Sequence, residues 1–176
     1  GHSAVVTGDR DLFQVVDDAG AVRVLYLGQG AGRYERVDGT WLRGRYDVDP
    51  SQYVDFAVLR GDPSDGLPGV AGIGEKTAAR LVNSHQDLAG VLAAAAAGEL
   101  TPKVTAALSA ARDYLTAAPA VVAAERNAPL PDLDLRLPDQ VADPERFDAL
   151  ATEWGLGGSA ERFRTALVAA AQARST

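Results

Sequence analysis

Two pairs of aspartates carry side chains that could do chemistry, and the first pair is Asp9 and Asp11 in "TGDRDLF". The pair directly follows the apolar run 4–7, which predicts a buried strand. Active sites of α/β sheets lie at the carboxyl ends of their strands, and the two carboxylates can face one site if the chain turns there. The alternative is a solvated turn in which Asp9 caps a short helix.

The second pair, Asp62 and Asp65, lies in "GDPSDG". One or two carboxylates with room for water are the ligands that Mg²⁺ prefers. The alternative for this pair is an Asx turn followed by a helix cap. Four clustered carboxylates repel one another and raise their pKa values, and a shared cation relieves this repulsion. Together, the two pairs favour a divalent-metal site.

A glycine-rich segment, "LPGVAGIGEKTAARL", follows the second pair and contains Gly69, Gly72 and Gly74. Glycines tolerate positive φ and let a ligand approach the backbone. Gly74 precedes a predicted helix, whose free N–H groups and dipole favour an anion, and Lys76 and Arg80 add positive charge to the same face. The alternative is a plain helix–turn–helix connection. A dinucleotide-binding fingerprint is disfavoured, because its glycine order differs and it follows a strand.

Composition narrows the class of protein. The 176 residues include no cysteine, which excludes a disulfide framework and a cysteine-ligated zinc site and favours the cytoplasm. The net charge of −7 argues against a protein that binds nucleic acid non-specifically over its whole surface, so any nucleic-acid contact must be local. No segment approaches the roughly 18 to 20 apolar residues of a membrane span, so no membrane partner is expected.

The hydrophobic pattern predicts a small α/β fragment with short strands, followed by a mostly helical region. Strands are predicted at 4–7 and 21–27, with a short edge strand in "RYERV" before a turn at Asp38-Gly39. Segment 128–139 is predicted to be an extended strap across the domain. The predicted helices cover 49–60, 76–82, 87–97, 102–127 with a break near Pro119, 143–154 and 159–172.

Three motifs together resemble the bacterial 5′-nuclease family, which includes flap endonucleases and the 5′–3′ exonuclease domain of polymerase I-type enzymes. They are "TGDRDLFQ", "GDPSDGLPGVAGIGEKTAARL" and "LPDLDL". The resemblance extends from Ala4 to about residue 170 and corresponds to the C-terminal portion of such an enzyme. It implies part of a PIN-like nuclease core in 4–46, a helix–hairpin–helix (helix–three-turn–helix) region in 47–127, and a strap with helices packing back on the core in 128–176. Residues 1–3 are predicted to be a tag remnant or the product of a cut.

Members of this family bind two or three divalent ions, Mg²⁺ or Mn²⁺, and hydrolyse DNA at 5′ ends, nicks and flaps in replication and repair. The resemblance implies that the catalytic metal ligands are Asp9, Asp11, Asp62 and Asp65. It also implies a K⁺ ion on the backbone of Val70 and Ile73. The residues implied to contact the phosphate backbone of duplex DNA are Gly69, Val70, Gly72, Ile73, Gly74, Lys76, Thr77 and Arg80.

The resemblance also implies further acidic ligands and a basic helical arch in an N-terminal half that this chain lacks. We therefore expect the chain alone to bind duplex DNA weakly and to lack nuclease activity, in a bacterial cytoplasm where it serves the nucleoid. The alternative function is a non-catalytic DNA-binding module that uses the hairpin alone. The acidic pairs favour the nuclease, because four aspartates beside a phosphate-facing loop would otherwise repel DNA.

Overall fold

The computed structural model describes residues 2–28, 30–132, 134 and 136–174. The chain forms two compact units, Gly1–Arg126 and Asn127–Thr176. The finer division of the first unit into 4–46 and 47–127 stays a prediction.

A three-stranded sheet opens the first unit, and it confirms the predicted strands. Strand β1 (Ser3–Thr7) pairs in parallel with β2 (Val22–Tyr26), and β2 pairs antiparallel with β3 (Glu35–Val37). A 3-10 helix, Arg10–Val15, connects β1 to β2. Because β1 and β2 run in parallel, their carboxyl ends lie at the same edge of the sheet. The aspartate-bearing segment after β1 therefore leaves the sheet at that edge.

The predicted turn at Asp38-Gly39 is wrong, because these residues begin helix α1 (Gly39–Tyr46). The Asp38 carboxylate accepts a hydrogen bond from the Trp41 N–H at 2.8 Å. An aspartate at this position satisfies one of the N–H groups that a helix leaves without a partner. The local preference of Asp38 for capping therefore prevails over the hairpin turn that the Asp-Gly pair favours.

Helix α2 (Tyr53–Arg60) is central to the first unit, where it packs against the 3-10 helix after β1 and against two later helices, α3 (Glu75–His85) and α6 (Arg112–Val122). It lies within the predicted helix 49–60, and its inward face includes Tyr53, Phe56, Ala57 and Leu59, which are each at most 1% exposed. The helices that follow are α3 (Glu75–His85), α4 (Leu88–Ala96), α5 (Pro102–Ala110) and α6 (Arg112–Val122).

The predicted helix break near Pro119 is also wrong, because the break falls at Ala111 and Pro119 lies inside α6. A proline removes one backbone hydrogen bond and strains the preceding turn. Helix α6 tolerates this because it ends at Val122, one turn later, and because Leu115, Ala118 and Val122 are buried in the core. Packing therefore holds the helix together through the proline.

The second unit contains α7 (Pro144–Glu153) and α8 (Gly158–Arg174). The two helices meet through Phe147 and Phe163, whose rings stack with centroids 5.7 Å apart. The described residues between 128 and 139 form no helix or strand. Leu133 and Leu135 of the predicted strap lie outside the described residues, and the course of the strap stays a prediction. Across the described ranges, no helix is long and apolar enough to cross a membrane.

Candidate metal centre and nucleic-acid interface

Three of the four predicted metal ligands lie together in a carboxylate cluster, which consists of Asp9, Asp11 and Asp65. One carboxylate oxygen from each lies within 4.8 Å of the others. Asp9 caps the 3-10 helix that follows β1, where its Oδ1 accepts a hydrogen bond from the Asp11 N–H at 2.8 Å. Asp65 ends a second 3-10 helix, Pro63–Asp65, in the loop after α2. Asp9 thus serves as a cap and still presents its carboxylate to the cluster.

The electrostatics of the cluster suit a cation. Burial raises the pKa of Asp11 to about 6, and the negative charges of Asp9, Asp65 and Asp62 add to this effect against the opposing charge of Arg60. A divalent cation would hold Asp11 in its ionised form and relieve the repulsion. Hard carboxylate oxygens are the donors that Mg²⁺ and Mn²⁺ prefer, so the residues fit such an ion.

Asp62, the fourth predicted ligand, is only 3% exposed and lies outside the carboxylate cluster. Its Oδ2 forms an ion pair with the Arg10 guanidinium at 2.7 Å and lies 3.7 Å from that of Arg60. Its Oδ1 accepts hydrogen bonds from the N–H and hydroxyl of Ser64. Burial works to raise the pKa of Asp62, but the Ser64 hydrogen bonds and the two arginines outweigh it and lower the pKa. Its role as a metal ligand stays a prediction.

The two arginines that neutralise Asp62 were not identified from the sequence. Arg60 is held over the Phe56 ring, with its guanidinium carbon 4.9 Å from the centroid, and it donates to the Gly61 carbonyl at 3.1 Å. The Tyr53 ring lies beside Phe56, with centroids 5.9 Å apart, and its buried hydroxyl has no hydrogen-bond partner among the described residues. An arginine between two aspartates and another just before "GD" are the sequence features that could have indicated these counter-ions.

The glycine loop, residues 67–74, lies between α2 and α3 and contains a tight turn. The Ile73 N–H donates to the Val70 carbonyl at 2.9 Å, and Gly72 at the third position has φ +79°. This geometry is that of a type II turn, which requires glycine or asparagine at that position. The Val70 and Ile73 residues are each 3% exposed. The side chains of both residues are therefore closed to a ligand.

The outer side of the glycine loop and the start of α3 form an exposed surface. Gly72, Gly74, Lys76 and Arg80 are exposed, and Gly69 and Thr77 are partly buried. No heavy atom would lie within 4 Å of a Cβ placed on Gly72 or Gly74, so the space above both is open. Gly74 caps α3 with no side chain, which leaves N–H groups of the first helical turn open to a ligand. Arg45 of α1 pairs with the Glu75 carboxylate at 3.2 Å and offsets its charge at this surface.

Comparison with known proteins identifies the family. The family model described as "5'-3' exonuclease, C-terminal SAM fold" matches residues 48–143. A 5′-3′ exonuclease of Streptomyces coelicolor is 52% identical over 167 residues, which cover 94% of this chain and 56% of that protein. The chain thus spans about half the length of this relative.

Solved structures share the fold. A bacteriophage T5 flap endonuclease, crystallised as a pseudo-enzyme-product complex with DNA and metal ions, matches with a TM-score of 0.56 at 17% identity, over 97% of this chain and 53% of that one. A T5 5′-exonuclease with bound divalent zinc ions matches with a TM-score of 0.55 at 18% identity, over 69% of this chain and 42% of that one. These matches confirm a nuclease-like fold, with a small sheet and mostly helices. The sequence resemblance is confirmed, and the chain belongs to the 5′-3′ exonuclease family, whose C-terminal SAM fold it contains.

Proposed function

We propose that this chain is the part of a bacterial 5′-3′ exonuclease and flap endonuclease that contributes carboxylates to a divalent-metal site and holds duplex DNA. The whole protein would hydrolyse DNA phosphodiesters at 5′ ends, nicks and flaps in replication and repair. One observation carries this proposal. The carboxylate cluster, with oxygens within 4.8 Å of one another, is joined by Asp65 to the loop that begins two residues later at Leu67.

Asp9, Asp11 and Asp65 would hold one Mg²⁺ or Mn²⁺ ion, and we propose Asp62 as a ligand that would hold part of a second ion. When bound, such an ion supplies an activated water and neutralises charge on the leaving oxygen. The chain's own part is to orient the carboxylates: the Asp11 N–H fixes Asp9, and the short 3-10 helix fixes Asp65. Because partial burial disfavours the charged form of Asp11, a bound cation would stabilise this carboxylate.

The glycine loop with α2 and α3 is proposed to act as a helix–hairpin–helix element. Its open backbone at Gly72 and Gly74, together with Lys76 and Arg80, would contact phosphates, and these contacts position a duplex without reading its sequence. Gly69, Thr77 and the backbone of Val70 and Ile73 would complete this surface. The carbonyls of Val70 and Ile73 would also bind a K⁺ ion. The Val70 carbonyl already accepts a hydrogen bond from the Ile73 N–H, but a carbonyl oxygen has a second lone pair for a cation.

The Streptomyces coelicolor relative is about twice as long as this chain, so we propose that the rest of the whole protein supplies further metal ligands. We expect the 176-residue chain alone to bind duplex DNA weakly, with strong salt dependence, and to cleave it poorly. The site of action would be the bacterial cytoplasm, where the DNA lies. Efficient Mg²⁺-dependent cleavage of a flap substrate by the purified chain would contradict this expectation.

Metal titration tests the proposed site directly. We expect Mn²⁺ to bind the wild-type chain in isothermal titration calorimetry, and Asp65→Asn to weaken binding by about tenfold or more, equivalent to roughly 1.4 kcal/mol. Asp113→Asn is the matched control, because Asp113 is an exposed aspartate in the first turn of α6 and is not a member of the carboxylate cluster. Equal affinity in the wild type and Asp65→Asn would overturn the metal site. Duplex binding without any Mn²⁺ binding would instead favour a non-catalytic DNA-binding module.

A further inference from the structure

Positive side chains already neutralise part of the proposed metal site. Arg10 and Arg60 both lie within 4.0 Å of the Asp62 carboxylate, and Arg10 is flanked along the chain by Asp9 and Asp11. Four carboxylates and two guanidinium groups leave this region with two negative charges. A single divalent cation balances that charge, whereas four carboxylates without the arginines would call for two.

The two arginines differ in how firmly they are held. Arg60 is 12% exposed, lies over two aromatic rings and donates to the Gly61 carbonyl. Arg10 is 39% exposed, and among the described residues Asp62 is the only hydrogen-bond partner of its side chain. The exposed member of the ion pair is therefore Arg10, and it joins a carboxylate that is itself 3% exposed. Of the two arginines, Arg10 is therefore the one that can move away from Asp62.

We propose that Arg10 competes with a divalent cation for Asp62, and so takes the place of a second metal ion in this part of the site. The proposal rests on the proposed function, because it presupposes the metal site formed by the carboxylate cluster. An arginine stays charged at every working pH, so a cation arriving at Asp62 meets both its charge and an occupied oxygen. The chain would then hold one divalent ion at Asp9, Asp11 and Asp65. Arg10 is a positioning residue here, since it acts through Asp62.

Titration of Mn²⁺ alone into the full chain tests this proposal, with bound ions counted by calorimetry and free Mn²⁺ measured by electron paramagnetic resonance. We expect one ion in the wild type. In Arg10→Gln we expect either a second ion or binding tightened by about tenfold, equivalent to roughly 1.4 kcal/mol. Arg10→Lys keeps the positive charge and should behave as the wild type. Unchanged or weaker binding in folded Arg10→Gln would overturn the proposal.

A second variant separates competition at Asp62 from a general change in charge. Removing any positive charge near the cluster favours a cation, but only competition requires Asp62. The gain in Arg10→Gln should therefore vanish in the double variant with Asp62→Asn, and persistence of the gain would overturn the proposal. If Arg10→Gln does not fold, the single variant Asp62→Asn still tests the proposal. This variant should keep one bound ion, because the ion is held by Asp9, Asp11 and Asp65. Loss of the ion in Asp62→Asn would overturn the proposal. Failure of the metal site itself is detected separately, by Asp65→Asn in the wild-type background.

Discussion

Gly61 and Gly69 pass each other with their backbones in direct contact. A Cβ atom on Gly61 would lie 2.6 Å from the Gly69 nitrogen, and a Cβ on Gly69 would lie 2.5 Å from the Arg60 carbonyl oxygen. Just beyond this crossing, Asp62 and Leu67 exchange two backbone hydrogen bonds of 2.9 and 3.0 Å. The segment that carries Asp62 and Asp65 is thereby joined rigidly to the glycine loop. This joint fixes the distance between the proposed metal site and the proposed phosphate contacts.

Because of this crossing, we expect Gly61→Ala to lower the free energy of unfolding by about 3 kcal/mol. The added methyl group would overlap backbone atoms that cannot rotate away, which costs about 1–3 kcal/mol. The backbone of residue 61, at φ +80° and ψ 164°, lies in a region that is essentially restricted to glycine, which adds about 1–3 kcal/mol for any residue with a Cβ. Urea denaturation followed by circular dichroism measures the loss.

The control for the Gly61→Ala variant is Gly66→Ala, because Gly66 also has positive φ but a methyl group placed on it would meet no other atom within 4 Å. We expect this variant to lose only the conformational part, about 1–2 kcal/mol. Equal losses in the two variants would show that the close crossing contributes nothing to stability.

A second prediction concerns Gly74, where a methyl group should weaken DNA binding and leave the fold nearly intact. Its φ of −90° suits any residue, and the space beside it is open. Alanine is less favoured than glycine at a helix N-cap, so we expect a loss of at most about 1 kcal/mol in unfolding free energy. We expect duplex affinity to fall about tenfold, since the methyl group would stand between the backbone and a phosphate.

Fluorescence anisotropy with a labelled duplex checks this Gly74→Ala prediction, and Gly44→Ala serves as its control. Gly44 is exposed on α1, and a Cβ there would also meet nothing within 4 Å. Alanine in a helix is more stable than glycine by about 0.5–1 kcal/mol, so this variant should gain stability and keep its DNA affinity. Unchanged affinity in Gly74→Ala would remove Gly74 from the interface.

The chain's two lysines allow a matched test of the proposed phosphate contacts. Lys76 is the second residue of α3 and Lys103 is the second residue of α5, and both are exposed. We expect Lys76→Ala to weaken duplex binding and to reduce the slope of log affinity against log salt by about 1, because one fewer phosphate is neutralised. Lys103→Ala should change neither quantity. Similar slopes for the two variants would mean that the start of α3 has no special role.

How far the sequence predicts this site depends on whether a feature is local. The caps and apolar spacing that define β1, α2 and α3 act over a few residues, so these elements were correctly predicted. The partner of Asp62 is Arg10, which lies 52 residues earlier in the chain. That pairing exists only after the sheet and α2 have packed. Spacing along the chain therefore identifies carboxylates, whereas the fold decides which cation neutralises each of them.

The raised pKa of Asp11 makes stability depend on pH in a defined direction. The pKa is about 6 in the folded chain against an ordinary value of 3.8, so the folded state holds the proton more tightly than the unfolded state. Stability from this group is therefore lost as pH rises from about 4 to about 6. Asp11→Asn cannot titrate, so relative to the wild type it should gain about 1 kcal/mol across that window, a figure reduced for solvent screening. Urea denaturation at pH 4 and pH 7 measures this gain, and saturating Mn²⁺ should reverse it at pH 7 by stabilising only the wild type. A difference between the two proteins that is the same at both pH values would show that Asp11 is not destabilised by its neighbours in the folded chain.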